Sequence, residues 1–351
     1  NGNNDIYLYN LATQTETSIA INNSDQTYPD ISDNKIVWQD SRNVNSDIYL
    51  YDLTTETETQ ITTDNSEQAY PDISGDKIVW QDSRNGNADI YLYNLTTQTE
   101  TQITTDGSEQ SSPVISGDKI VWYDYRNGNY DIYLYDLATQ IETRITTNGS
   151  EQYSPAISGD KIVWQDYRNG NADIYLYDLA TQIETRITTN GSEQYSPDIS
   201  GDKIVWRDNR NGDSDIYLYN LVTQVESLIP KGEGNAVSYA PSVDGDIIAW
   251  VDDDNGGIFR HDLGTGVTTG IVVSSGGNPK VSGDKIVWYD YRNGDSDIYL
   301  YDLTTQTETQ ITTNSSEQYF PAISGDKIVW QDYRNLNSDI YMATLAYPVP
   351  I

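Results

Sequence analysis

Apolar residues along this chain come in short runs and not at helical spacing. The run Lys161-Ile162-Val163-Trp164-Gln165 is apolar on both alternating faces, the pattern of a strand covered on each side. In Asp173-Ile174-Tyr175-Leu176-Tyr177, Ile174 and Leu176 point one way and two tyrosines the other, so this run also has two faces to bury. Residues 184–188 are more polar and suit an exposed outer edge. A short segment at 156–158 precedes these runs and ends at Gly159-Asp160, a tight-turn pair. Arg168-Asn169-Gly170-Asn171 supplies the next turn. Residues 153–189 therefore predict four short strands, named A to D from a central axis outward.

The unit repeats. Trp38, Trp80, Trp122, Trp164, Trp206, Trp250, Trp288 and Trp330 are spaced by 42, 42, 42, 42, 44, 38 and 42 residues. A period in this range with four strands per unit is that of a propeller blade, whereas a helical solenoid needs two long amphipathic stretches. A two-faced blade cannot bury itself, and stacking blades into a ring covers every face. The expected fold is all-β, an eight-bladed β-propeller of four-stranded antiparallel blades, forming one domain over residues 1–345. Residues 346–351, with Pro348 and Pro350, read as the start of a stiff linker.

C-type runs occur nine times if Gly257-Ile258-Phe259 is included, against eight of each other type. The chain starts with a C and a D segment (5–21) and ends with A, B and C (321–345). The simplest closure joins the N- and C-terminal strands, with residues 15–21 beside 339–345 and residues 1–10 left peripheral; the reverse choice stays open, since the last C segment has decayed to Ile340-Tyr341-Met342-Ala343.

The formal charge of −34, from 54 acidic and 20 basic residues, argues against nucleic acid and anionic lipid as partners. It keeps the surface soluble by self-repulsion and attracts cations. The absence of cysteine excludes disulfides, thiolate metal sites and cysteine nucleophiles. No apolar run reaches membrane-spanning length, so membrane insertion is not expected. An opening at Asn1-Gly2-Asn3-Asn4 reads as a processed or excised segment, a monomeric domain within a larger chain.

Ser-Gly-Asp-Lys-Ile-Val-Trp at 158–164, Arg-Asn-Gly-Asn-x-Asp-Ile-Tyr-Leu-Tyr at 168–177 and Ile-Thr-Thr at 187–189 together resemble the TolB-type propeller repeat. The turn departs from that family's S-x-D-G order. The version here looks most like repeats of archaeal surface-layer-type proteins, where such propellers are commonly followed by immunoglobulin-like modules. Related blades occur in periplasmic scaffolds, in gating domains of prolyl-oligopeptidase-like enzymes and in an oligogalacturonate lyase. This chain has neither the hydrolase domain of the second group nor the histidine-rich metal site of the third. The resemblance therefore implies fold and not activity.

Carboxylate pairs recur across the B–C turn, for example Asp40/Asp47 and Asp166/Asp173. They could supply oxygen ligands for calcium. The favoured reading is structural, with one aspartate holding the turn arginine (Arg42, Arg168 and their equivalents). General acid–base work needs one asymmetric pair with divergent environments, and near-identical copies offer the opposite. Asymmetry is found in the sixth unit, where Asp252, Asp253 and Asp254 replace the arginine turn and form the candidate metal site; drift in one blade, made tolerable by Gly256 and Gly257, is the favoured alternative. The sole histidine, His261, lies in its C strand and reads as a packed or solvent-edge residue.

Tyr28, Tyr70, Tyr153, Tyr195, Tyr239 and Tyr319, at the start of the A strands, are the candidate ligand-binding residues, since tyrosine offers a stiff apolar face and a polar tip. Plugging of the channel mouth is the equally weighted alternative. Sequons at Asn22, Asn94, Asn148, Asn190 and Asn314 would suit an extracellular chain. The resulting expectation is a non-enzymatic extracellular or cell-surface module, binding protein or glycan through the face that carries the B–C and D–A loops. A glycan-cleaving enzyme with its site in the sixth unit is the alternative.

Overall fold

The computed structural model describes residues 4–10, 15–22, 24–230, 238–252, 257–271, 276–333 and 339–344. All regular structure among them is β-strand, and none contains a helix long and apolar enough to cross a membrane. Blade 4 shows how the repeat folds. Its strands A (Gln152–Ser158), B (Lys161–Asp166), C (Asp173–Asp178) and D (Ile183–Arg186) form one antiparallel sheet in sequence order.

The A–B turn requires a left-handed residue at its first central position. Gly159 fills it at φ 58°, and blade 1 uses Asp33 at φ 53°, a residue type that tolerates this region. Pro155 has no N–H to give the ladder, so A–B pairing breaks between Tyr153 and Ala156. Ser154, just before the proline, is driven to φ 51°. The same distortion recurs at Tyr28, Tyr70, Ser112, Ser196, Ala240, Asn278 and Phe320.

Each blade buries both faces against its neighbours, as the sequence pattern predicts. Val163, Ile174, Leu176 and Ile187 of blade 4 pack on Ile199, Ile204, Trp206 and Tyr217 of blade 5. Trp164 is fully buried and stacks on its cross-strand partner Tyr175 at 6.0 Å. Burial of each large side chain contributes about 1.5–3 kcal/mol. A hydrogen bond also ties neighbouring blades: Gly201 N–H donates to Ser158 Oγ at 3.0 Å.

Seven blades of this kind occupy residues 26–310. The expectation of eight four-stranded antiparallel blades is therefore corrected. The remaining sheet has five strands, in the order Thr15–Asn22, Asn4–Asn10, Asp339–Thr344, Lys327–Asp332, Gln318–Ser324. It is mixed, because Asn4–Asn10 runs parallel to Asp339–Thr344, with Leu8 opposite Met342 and Asn10 opposite Thr344. The expected join of residues 15–21 to 339–345 is absent. The strand expected to be peripheral lies between them. Its sequence, Asp5-Ile6-Tyr7-Leu8-Tyr9, is that of an interior C strand, and it stays paired with Thr15–Asn22 as a local hairpin.

Among the described residues, no sheet closes on itself by hydrogen bonds. The ring is joined by packing, with Ile19, Val329, Ile340 and Met342 of the five-stranded closing sheet against Ile31, Ile36, Trp38 and Tyr49 of blade 1. Asp33 N–H donates to Ser324 Oγ at 3.1 Å, repeating the bond seen between blades 4 and 5. The expected linker, residues 346–351, lies outside the described residues.

Candidate functional site

B–C turns and D–A linkers share one face. Asn171 Nδ2 donates to the carbonyl of Ser192 at 2.7 Å, and Ala172 N–H to Glu193 Oε2 at 2.8 Å. Within the turn the two aspartates have separate tasks. Asp166, with no exposed side chain, accepts from Trp164 Nε1 at 3.1 Å, from Arg168 N–H at 2.9 Å and from Arg168 Nη2 at 2.6 Å. Arg168 also reaches Glu184 at 2.5 Å and lies over the Tyr175 ring at 4.1 Å. Burial works against the arginine's charge, but the hydrogen bonds to Asp166 and Glu184 outweigh it and raise its pKa above the ordinary value.

Asp173 is satisfied from a different side, by Asn169 at 2.8 Å, Thr188 Oγ1 at 3.3 Å and Arg186 at 2.9 Å. The equivalent Asp47 accepts from Asn43 and Gln60, and burial raises its pKa. Donors thus occupy the oxygens that calcium would need, and the arginine-holding role fits the geometry. Among the described residues, no group of three or more histidine or acidic side chains is placed to hold a metal ion.

Blade 6 departs from this pattern. Asp252 is buried at the end of strand B and pairs across the ladder with Gly257, where other blades have the second aspartate. Asp253 and Asp254 lie outside the described residues. His261 is packed in strand C, with Nδ1 2.8 Å from Thr268 Oγ1, which donates to the Pro230 carbonyl at 2.6 Å. Desolvation lowers its pKa. The described part of this blade does not assemble an acid–base pair.

The six tyrosines fall at two registers. Tyr28 and Tyr70 occupy the left-handed position before the proline and are 43% and 42% exposed. Tyr153, Tyr195, Tyr239 and Tyr319 stand one residue earlier and are half-buried. Around the axis, the pre-proline position is aromatic in three consecutive sheets (Phe320, Tyr28, Tyr70) and small or polar in the other five (Ser112, Ser154, Ser196, Ala240, Asn278). Tyr28 lies 4.9 Å from Tyr70 and 6.4 Å from Phe320. Two of the half-buried tyrosines, Tyr153 and Tyr319, join residues that sequence reasoning missed. Tyr153 meets Tyr123, Tyr130 and Tyr167 at 5.4–6.2 Å. Tyr319 meets Tyr289, Tyr291 and Tyr333 at 5.3–6.2 Å. Burial and Glu151 push Tyr153 up to about 12. The signal that could have found them is tyrosine where other repeats carry glutamine (Tyr123, Tyr289) or serine and alanine (Tyr130), and a tyrosine shared by four repeats after the strand-B aspartate (Tyr125, Tyr167, Tyr291, Tyr333).

The residue after the proline was also missed. Asp30, Asp72 and Asp198 stand there, inside the ring. Each bridges two A strands by accepting a backbone N–H from the next blade: Ile73 at 3.0 Å, Ile115 at 2.7 Å and Val243 at 2.9 Å. Desolvation first, then the neighbouring Asp30, holds the Asp72 carboxyl well above the usual range. Asn148, Asn190 and Asn314, three of the sequon positions, use their side-chain oxygens to close the linker turn, each accepting from a serine N–H at 2.9–3.0 Å.

The family model of the TolB β-propeller domain matches residues 1–158, 112–277 and 149–329. No curated protein matches the sequence. Among solved structures, a prolyl endopeptidase superposes with a TM-score of 0.64 at 12% identity, covering 88% of this chain and 54% of the other, so this chain spans about half its length. An oligogalacturonate lyase in complex with manganese gives 0.59 at 14% identity, with 92% and 98% covered. A puromycin-hydrolyzing peptidase of Mycobacterium tuberculosis gives 0.60 at 10% identity, with 91% and 66% covered. At these identities the likeness is one of fold.

Proposed function

Taking as premise that the chain belongs to the TolB β-propeller domain family, we propose that it is a non-catalytic extracellular or cell-surface module that binds protein or glycan through its B–C/D–A face. The observation that carries this reading is the tyrosine on that face. Tyr125, Tyr291 and Tyr333 remain 44%, 41% and 37% exposed in clusters that a purely structural turn does not require. Rigid amphipathic rings lose little entropy on contact, which suits recognition. The turn acids are committed to arginine, asparagine and threonine, which leaves the face to binding instead of acid–base work.

The test is surface display of the purified chain against a glycan array and a panel of cell-surface proteins, with polysaccharide turnover followed in parallel. The reading predicts a ligand whose binding falls on Tyr291→Ser and not on Thr181→Ala, in an exposed C–D turn on the opposite face. Turnover of a polysaccharide, or binding that follows Thr181, contradicts it.

A further inference from the structure

Two tyrosine clusters lie on the binding face, and one of them reaches the central axis. Tyr319 is the hub. It touches Tyr291 at 6.2 Å and Phe320 at 6.2 Å, and Phe320 continues to Tyr28 and Tyr70 in steps of 6.4 and 4.9 Å. The chain of rings runs from blade 7 across the closing sheet and blade 1 to blade 2. The other cluster stops short of the axis, because Ser112 and Ser154 hold the pre-proline positions of its blades. Beyond the aromatic arc, the small residues of the opposite rim line a polar cavity of about 290 Å³ with Ser154, Ser196, Asn278 and Lys280.

We infer that the arc of Tyr291, Tyr319, Phe320, Tyr28 and Tyr70 is the binding track for an uncharged polysaccharide. The assignment rests on the binding reading above and narrows it to one ligand class. The hydrogen bonds of the hub decide the class. Tyr291 Oη donates to Tyr319 Oη at 3.2 Å, and Tyr319 Oη donates to Glu317 Oε2 at 2.8 Å. Both hydroxyl protons of the hub are spent within the protein, so this end of the track presents acceptor lone pairs and the Glu317 carboxylate beside its rings.

A matching ligand must bring many donors along an extended chain with flat apolar faces. A sugar polymer does this through its hydroxyls and the C–H faces of its rings, and successive ring steps of 4.9–6.4 Å suit successive sugar units. A proline-rich peptide brings chiefly carbonyl acceptors. Polyanionic glycans are opposed by the net charge of −34.

The left-handed backbone fixes these rings on the rim without depending on their identity, since Ala240 holds the equivalent position at φ 50°. Phe320→Ala and Tyr28→Ala should therefore fold normally, which a melting curve checks. The experiment is affinity electrophoresis and calorimetry of the whole chain against amylose, mannan, xylan and cello-oligosaccharides, with polygalacturonate, poly-L-proline and poly-L-lysine as controls. At least one neutral polysaccharide should bind, weakened roughly tenfold or more by either substitution and unchanged by Thr181→Ala on the opposite face. No neutral polysaccharide bound, binding indifferent to both substitutions, or preference for a control polymer overturns the assignment. If a control polymer binds and Phe320→Ala abolishes it, only the ligand class falls. If binding follows Thr181→Ala instead, the face itself was misassigned and the broader reading falls with it.

Discussion

Blade 4 takes its four strands from consecutive sequence, residues 152–186, whereas the closing sheet draws three strands from 318–344 and two from 4–22. Inside the sheets the ladders differ, antiparallel throughout in one and with a parallel pair in the other. At the seams they are alike. Ile187 of blade 4 packs toward blade 5, and Ile19, the corresponding residue of the repeat within Thr15–Asn22, packs toward blade 1. The bond from a turn N–H to a serine hydroxyl is also shared. The ring is thus specified by the faces that blades present to one another, and the ladder within a sheet can vary while those faces are kept.

The largest effect should come from the seam isoleucines. Ile187→Ala and Ile19→Ala remove equivalent buried side chains, and each should cost about 2–5 kcal/mol in chemical denaturation. A near-zero cost at Ile19 alone would show that the chain ends do not share in the seam.

A smaller effect separates the seams at the axis. Between blades 1 and 2 stands Asp30, and between blades 2 and 3 stands Asp72. At the closing joint the corresponding residue is Ala322. Because desolvation and Asp30 raise the Asp72 carboxyl, its folded form holds a proton that the unfolded chain releases more readily. Its stabilising contribution is present at acid pH and is lost as pH rises through the folded value. Asp72→Asn keeps an acceptor for Ile115 N–H and removes the repulsion, so Tm near about pH 8 should rise by roughly 2–4 °C. The gain should vanish near about pH 3.5, below the ordinary carboxylate range. An equal gain at both pH values would contradict this account.

Much of this contrast is legible in the amino-acid sequence alone. The tryptophan period, the two-faced B and C runs and the glycine–aspartate turn predict the regular blade, because each is a local property of consecutive residues. Closure is not legible, because residues 4–10 satisfy the C-strand pattern as well as 339–344 do, and a one-dimensional pattern cannot rank two copies competing for one place. The tyrosine ring is blurred for a related reason. Tyr28 and Tyr319 both stand near the A-strand proline, but the bulge at that proline turns a one-residue offset into a different location. The axial aspartates leave no trace in the sequence pattern because their partners are backbone amides of the next blade, which no side-chain motif reports.

Ring closure through the inserted N-terminal strand is tested most directly by a cross-link, and a chain without cysteine gives a clean background. Asn10 and Thr344 are neighbours across the parallel pair, whereas Thr15 pairs with Asn10 and stands one strand farther out. Adjacent strands lie about 4.8 Å apart, within the Cα reach of a disulfide, and two strand spacings exceed it. The double variant Asn10→Cys/Thr344→Cys should oxidise to an intramolecular disulfide, and Thr15→Cys/Thr344→Cys should stay reduced. The reverse outcome, with Thr15 linked to Thr344 and Asn10 free, would contradict the five-stranded closing sheet.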